Sequence, residues 1–397
     1  MRRPLLILVV ATAVQTLGAI VYQTLGVISP FLIASLDLSV VELGILPSAM
    51  HAGSLVALAI GASLIDRVGA PRLLGVGAIA SSAALLLAAA TGSYAILIAC
   101  LAGVGAAWGL SAIAGGEAII LAAPVGRRAT ITSIRQLALP VGGLIAAATA
   151  PAVTIGGWQG LLIGQAVAYL LIGAYIMRTR SLPSHEPRRT AWLQIPTLRG
   201  AAVGALAIGL TATQAAFLVY AVLELTTRVG MGFESAAALY LLSQAAGAAF
   251  RVGLGVISDA VPLSRAGLLA INTLAAAGMA FAFGQLAPDT PAWLTVGTVL
   301  LASAFIIGWN GVLVVALLES GASGDVNRNL GAGMTLMRIG IILGPPLFGL
   351  TLTTLGSAMA WNLVAVLMAV LAAGFVLLGS GRHERQSLER AGHVGAG

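Results

Sequence analysis

Leu242-Ser-Gln-Ala-Ala-Gly-Ala-Ala-Phe-Arg-Val-Gly-Leu-Gly-Val-Ile-Ser-Asp259 is an apolar stretch, rich in small residues, that is long enough with its flanks to cross a lipid bilayer. It contains one arginine, Arg251. An ionised guanidinium in hydrocarbon costs about 2.5–3.5 kcal/mol on insertion scales, and arginine cannot lose its proton to avoid that cost. Arg251 therefore needs a water-filled cavity, a counter-ion or an anionic ligand.

Composition indicates an integral membrane protein. Of the 397 residues, 59% are hydrophobic and 8% are charged, against about 25% charged in soluble domains. The single cysteine, Cys100, excludes an intrachain disulfide. The sequence has no cluster with metal-ligand spacing, no phosphate-binding glycine loop and no nucleophile elbow. We therefore expect neither an enzyme nor a cofactor.

Twelve apolar runs predict an all-α membrane protein, with twelve transmembrane helices in two pseudo-symmetric six-helix bundles. The predicted spans cover residues 5–30, 43–65, 73–90, 94–123, 129–153, 160–177, 198–223, 236–258, 265–284, 292–318, 330–353 and 357–378. The longest polar stretch separates the sixth span from the seventh. We expect an N-terminal bundle over 1–177, a cytoplasmic linker over 178–197, a C-terminal bundle over 198–380 and a cytoplasmic tail over 381–397.

All twenty basic residues are arginines, and their distribution predicts the topology. One face collects Arg2, Arg3, Arg67, Arg72, Arg127, Arg128, Arg178, Arg180, Arg188, Arg189, Arg199, Arg265, Arg328, Arg382, Arg385 and Arg390. The other face has only Arg228. Positive charge concentrates in cytoplasmic loops, so both termini are predicted to be cytoplasmic. The net charge of +7 thus reflects membrane topology rather than nucleic-acid binding, and the composition suggests a bacterial inner membrane.

The two halves of the chain repeat each other. Matching pairs are Asp66 with Asp259, Arg135 with Arg338, and Trp108 with Trp309, which are 193, 203 and 201 residues apart. Two six-span halves joined by a basic loop are typical of transporters whose halves rock about a binding site at the midplane.

A motif follows the second span: Ala62-Ser-Leu-Ile-Asp-Arg-Val-Gly-Ala-Pro-Arg72. It resembles the loop 2–3 signature of the major facilitator superfamily, Gly-x-Leu-x-Asp-Arg-x-Gly-Arg-Arg, at Asp66, Arg67, Gly69 and Arg72. It departs from that signature at Ala62 and at 70–71.

Residues 250–259 resemble the second-half copy of this signature, and residues 308–311 and 344–349 are typical of bacterial members. The resemblance covers the whole chain and implies a gating role for Asp66, with Arg67, Gly69, Arg72 and Asp259 as further gate residues. Plain anchoring at the membrane interface is the alternative role.

Three arginines, Arg135, Arg251 and Arg338, lie within the predicted spans at roughly one depth. Glu117 is the clearest acid within a span and can neutralise at most one of them. Arg135 on the next span is its natural partner, unless that arginine extends to the interface. The remaining cations favour an anionic ligand, because a carboxylate accepts bidentate hydrogen bonds from a guanidinium.

Other polar side chains complete the candidate site. Tyr240 and Gln244 share a helix face with Arg251. The full substrate-binding set is Arg251, Arg338, Arg135, Tyr240, Gln244, Gln136, Gln214, Asn310 and Tyr22. Glu117 and His51 are the candidates for carrying a proton. Each uncharged polar residue, Gln15 and Gln23 among them, could equally form an ordinary hydrogen bond between helices.

Arg251, in the pattern Arg-x-x-x-Gly-x-x-x-Asp, is similar to the substrate arginine of monocarboxylate transporters, and Arg251 with Arg338 resembles the basic pair of oxalate/formate antiporters. We expect a monomeric secondary transporter of a small mono- or dicarboxylate, driven by protons or by exchange. A proton-coupled drug exporter that uses Glu117 as its cation site is the main alternative. A receptor or scaffold on the same fold is the third.

Overall fold

The computed structural model describes residues 2–122, 135, 137–178, 195–321 and 326–394, with side chains described except at 2–5, 62, 116–122, 326–327 and 380–394. Every regular element in these ranges is helical. The helices are α1 (Arg2–Val27), α2 (Ser29–Leu36), α3 (Val40–Val68), α4 (Ala70–Thr91), α5 (Tyr94–Ala122), α6 (Ala138–Thr149), a 3-10 turn (Ala150–Ala152), α7 (Val153–Arg178), α8 (Leu198–Thr227), α9 (Phe233–Ala260), α10 (Arg265–Gly284), α11 (Ala292–Gly308), α12 (Asn310–Leu318), α13 (Val326–Leu355) and α14 (Ser357–Val394).

The helices provide the twelve predicted membrane spans. Eleven runs in the described chain are long and apolar enough to cross a membrane. One of them, Ala138–Arg178, has 41 residues, about twice what a bilayer needs. Gly157 interrupts this run with φ 64° and ψ 178°, a backbone conformation that suits glycine. The run is therefore two spans joined by a very short turn.

The packing of the helices shows the internal repeat. In the N-terminal half, before residue 179, α1 packs on α6, α3 on α5 and α4 on α7. In the C-terminal half, after residue 194, the equivalent pairs are α8 with α13, α9 with α11 and α10 with α14. The halves meet through α3 with α13 and α6 with α9, again equivalent pairs. The predicted arrangement of two pseudo-symmetric six-helix bundles is confirmed.

The first two spans differ in detail from the prediction. The first continues beyond α1 as α2, with a non-helical residue, Ile28, between them. The second starts three residues earlier than predicted, because Ser39 and Glu42 form a capping box at its first turn. The Glu42 amide donates to Ser39 Oγ at 3.2 Å, and the Ser39 amide donates to Glu42 Oε2 at 2.8 Å. Glu42 thus belongs to the helix rather than to the loop.

The last span also continues further than predicted, as α14 runs to Val394. We call the end of the molecule where α1, α4, α8, α10 and α13 begin the inner end, and the opposite end the outer end. Successive spans cross in alternate directions, so the turns at Asp37, Gly92, Gly230 and Gly356 lie at the outer end.

Candidate functional site

The outer end of the space between the two halves is closed. Tyr220 of α8 places its hydroxyl 2.9 Å from the carbonyl of Val40, in the N-terminal half, and 2.9 Å from that of Pro345. The hydroxyl carries one proton, so it donates to one of these carbonyls at a time. Nearby, the rings of Phe31 and Phe233 meet edge to face, with centroids 4.7 Å apart. The halves are therefore in contact on the outer side of the site.

A buried cluster of amides and a phenol joins the halves below this closure. The Tyr240 hydroxyl donates to Gln23 Oε1 at 2.7 Å and lies 3.3 Å from the carbonyl oxygen of Leu218. Gln23 Nε2 donates to Gln244 Oε1 at 3.4 Å. Gly143 of α6 lines the cluster, since a Cβ there would lie 3.0 Å from both amides. Tyr240 and Gln244 thus reach the interface between the halves.

Arg338 of α13 is a half-buried cation whose Nε is fully buried. It makes no hydrogen bond or ion pair with any residue that the structure describes. Its helix packs on α3 of the opposite half, which carries His51. His51 is 7% exposed, and neither ring nitrogen has a hydrogen-bond partner among the described residues.

Aromatic rings surround the His51 imidazole. Tyr22 of α1 lies 5.0 Å away between centroids, at 86° between planes, and Trp108 of α5 lies 5.1 Å away, at 64°. Edge-to-face contacts at these distances are favourable. They hold the imidazole in place by packing, without hydrogen bonds to its nitrogens from the described residues.

Arg251 of α9 lies beside Trp309, the residue between α11 and α12 in the tenth span. The backbone of Trp309 keeps helical angles, with φ −65° and ψ −20°, so the two helices form one continuous span. Trp309 Nε1 donates to the carbonyl of Ile306 at 2.7 Å, and Asn310 Nδ2 donates to that of Ile307 at 3.1 Å. Arg251 Nη2 donates to the same Ile307 carbonyl at 3.3 Å. Arg251 keeps most of its donors free of the described chain.

Arg135 is held by backbone carbonyls of α5. Its Nη2 donates to Ser111 and Ala112, at 3.0 Å each. Gly115 provides the space for the guanidinium, because a Cβ there would lie 2.6 Å from Cζ. Nε has no partner among the described residues. Arg135 is thus anchored within its own half.

Gln214 and Asn310 bind each other within the C-terminal half, with Asn310 Nδ2 donating to Gln214 Oε1 at 2.8 Å. This bond fits an ordinary hydrogen bond between helices at least as well as it fits a role in binding a ligand. Two other predicted residues lie outside the description: nothing is described of Gln136, and of Glu117 only the backbone. The predicted roles of these two residues stay predictions.

The predicted gate residues differ between the two halves. Gly69 joins α3 to α4, and Arg67 and Arg72 are exposed. Asp66 is half-buried and forms no hydrogen bond or ion pair with another described residue. Its counterpart Asp259 pairs with Arg265 at 2.8 Å. The repeated acids are therefore engaged in one half only.

Arg265 also lies 3.7 Å from Glu319, so it links α9, α10 and α12 at the inner end of the C-terminal half. A second ion pair, Glu224 with Arg228 at 2.7 Å, stands at the outer end of α8. Arg228 also donates to the carbonyls of Phe283 and Gly284 at the end of α10. Both pairs tie helices of one bundle together.

The family is shown by comparison with known proteins. Residues 11–345 match the model of the Major Facilitator Superfamily. Uncharacterized MFS-type transporters from two strains of Mycobacterium tuberculosis are 27% identical over 359 residues, which covers 87% of this chain and 80% of theirs.

Solved structures share the fold at low identity. A D-xylose–proton symporter has a TM-score of 0.76 at 16% identity, over 93% of this chain and 96% of its own. The nucleoside transporter NupG has a TM-score of 0.74 at 14% identity, over 95% and 99%. An inward-facing, occupied bacterial homolog of the human lysosomal transporter Spinster has a TM-score of 0.74 at 15% identity, over 95% and 97%. With its twelve spans in two matched bundles, the chain belongs to the Major Facilitator Superfamily of membrane transporters.

Proposed function

We propose that this transporter carries a small organic anion, a mono- or dicarboxylate, across the bacterial inner membrane by alternating access. The observation that carries the proposal is Arg338, a cation between the halves that makes no hydrogen bond or ion pair within the described chain. A guanidinium has five N–H donors, and removing it from water without a partner is costly. A bound carboxylate would satisfy two of these donors at once.

The distribution of described acids supports an external anion. Carboxylates with described side chains lie at helix ends and turns: Asp37, Glu42, Asp66, Glu224, Glu234, Asp259, Asp289 and Glu319. Arg251, which spends one hydrogen bond on the Ile307 carbonyl, is a second donor for the same ligand. We assign Arg135 a long-range electrostatic role, since its Nη2 is committed to α5.

His51 is the proposed proton carrier, and Glu117 remains a second candidate. An anion bound near Arg338 would bring negative charge towards His51, so that the anion and a proton on His51 attract each other. Coupling to protons follows from that attraction, and exchange of two anions is the alternative. A xylose–proton symporter shares this fold, which is compatible with proton coupling.

The arginine distribution supports an inner end in the cytoplasm, with both termini there. The described conformation is then closed to the periplasm. We further propose the domain limits 1–177, 178–197, 198–380 and 381–397. Asp66, Arg67, Gly69 and Arg72 would form the cytoplasmic gate with Asp259 after the halves rock, because Asp66 has no hydrogen bond or ion pair with another described residue in the present state.

The test begins with purified protein and a panel of C2–C6 mono- and dicarboxylates. An acid that binds should raise the unfolding midpoint through mass action, and the same acid should be taken up by proteoliposomes. Arg338→Ala should abolish uptake, whereas Arg338→Lys, which keeps the charge but loses the bidentate geometry, should retain part of it. Unimpaired uptake in Arg338→Ala would refute the proposal. Export of toxic cations that is insensitive to this variant would favour a drug exporter instead.

A further inference from the structure

The chain Tyr240–Gln23–Gln244 has a direction. The Tyr240 hydroxyl has two oxygen acceptors within reach, Gln23 Oε1 at 2.7 Å and the Leu218 carbonyl at 3.3 Å, so it donates to the nearer. Gln23 Oε1 is then the acceptor of its amide, and its Nε2 is the donor. Gln23 Nε2 points to Gln244 Oε1. Each member thus donates to the next, from the phenol towards Gln244.

The chain ends on a free donor. Gln244 uses its oxygen to accept from Gln23, which leaves the amide nitrogen to donate. That Nε2 is buried and has no hydrogen-bond partner among the described residues, and Gln244 is 2% exposed. A buried donor without a partner is uncommon and costly, so such groups point to a ligand or a water that occupies the site.

Gln244 and Arg251 lie on the same side of α9. They are seven residues apart on α9, which corresponds to about 10.5 Å along the axis and about 20° around it. Long side chains on a helix lean towards its N-terminus, so the Arg251 guanidinium extends towards Gln244. Groups bound to Arg251 and to Gln244 would lie along the same side of the helix.

We infer that Gln244 determines specificity by donating a hydrogen bond to a second acceptor oxygen of the transported anion. This inference rests on the proposed anion transport and narrows it to oxygen-substituted acids, with the carboxylate at the arginines and the second oxygen at Gln244. Tyr240 and Gln23 are positioning residues, because they orient the Gln244 amide with its nitrogen free. An unsubstituted acid of the same length would leave that donor unpaired.

The test compares ligands of equal length with and without an acceptor oxygen. Dissociation constants are measured by calorimetry on the full chain for propionate and pyruvate, butyrate and 2-oxobutyrate, and valerate and 2-oxovalerate. In at least one pair, we expect the oxo-acid to bind the unmodified protein about tenfold more tightly, the effect of one buried hydrogen bond. Gln244→Met should reduce that ratio to within about twofold.

Two further variants keep the result decisive. Gln165→Met removes a buried amide of the N-terminal half that donates a hydrogen bond to Thr24 Oγ1. It should leave the ratio of the two dissociation constants unchanged. Tyr240→Phe keeps Gln244 but removes the hydrogen bond that orients the Gln23 amide. It should therefore lower the ratio of the two dissociation constants, and it provides a second test if Gln244→Met folds poorly.

Equal binding of both members of every pair, with binding still dependent on Arg338, would overturn the inference and leave anion transport standing. A ratio that survives in both Gln244→Met and Tyr240→Phe would also overturn it. Binding of no acid at all would refute the proposed function together with the inference.

Discussion

Tyr240→Phe should shift the molecule away from the conformation described here. The substitution removes the hydroxyl that donates to Gln23 Oε1 across the two halves. The Gln23 oxygen then stays buried without this donor, which costs about 1–3 kcal/mol. The same oxygen can reach water when the outer end opens, so the loss falls mainly on the closed state. We expect a net shift of about 1–2 kcal/mol, which changes the ratio of closed to open molecules about 5- to 30-fold.

Spin-label distances across the outer end would measure this shift. Ala34 and Ser235 are exposed positions on α2 and at the start of α9, and Cys100 is the sole cysteine to replace before labelling. In lipid nanodiscs, Tyr240→Phe should increase the long-distance fraction. Tyr169→Phe is the matched control, because this buried hydroxyl of the N-terminal half has no partner among the described residues. Unchanged distances in Tyr240→Phe, or an equal shift in Tyr169→Phe, would refute the reasoning.

Two other substitutions test the bundles. Gly115→Ala puts a methyl 2.6 Å from Cζ of Arg135. The displaced charge should weaken substrate binding by about 1.4 kcal/mol and slow anion uptake about tenfold. Gly103→Ala, on the same helix with nothing within 4 Å, should leave uptake unchanged, and an equal loss in both variants would contradict the role of Arg135. Arg228→Ala leaves Glu224 buried without its cation and should destabilise the fold by about 3–5 kcal/mol, seen as a lower midpoint of thermal unfolding in detergent, whereas an unchanged midpoint would show that the pair is dispensable.

Apolar length and repeated motifs were enough to predict the fold. A span needs about 20 apolar residues whatever its neighbours are, so the hydropathy of the chain locates the helices. The predicted span over 292–318 and the predicted turn between 153 and 160 are both present. The differences lie at helix ends, where local contacts decide. The capping box of Ser39 and Glu42, for example, starts the second span earlier than predicted.

The candidate site was less accessible from the sequence. Charge in a span identifies Arg251 and Arg338, because hydrocarbon makes an unpaired guanidinium costly. Nothing in the sequence separates Gln23 from Gln15, however, since the importance of Gln23 depends on how the two halves are placed against each other. Its partner Tyr240 is 217 residues away. Trp108, expected only as half of a repeat, is a wall of the His51 pocket.

The chemistry of the outer closure has an electrical consequence. The side-chain hydrogen bonds that join the halves, within the described chain, come from Tyr220, Tyr240 and Gln23 and end on neutral oxygens. Opening that closure breaks dipolar contacts without separating an ion pair. A membrane potential acts on moving charge, with about 2.3 kcal/mol per elementary charge per 100 mV. The closure itself should therefore respond little to voltage. Voltage should act instead on the charges that move with the halves, namely the arginines, the bound anion and any proton, so the loaded and unloaded carriers should respond differently.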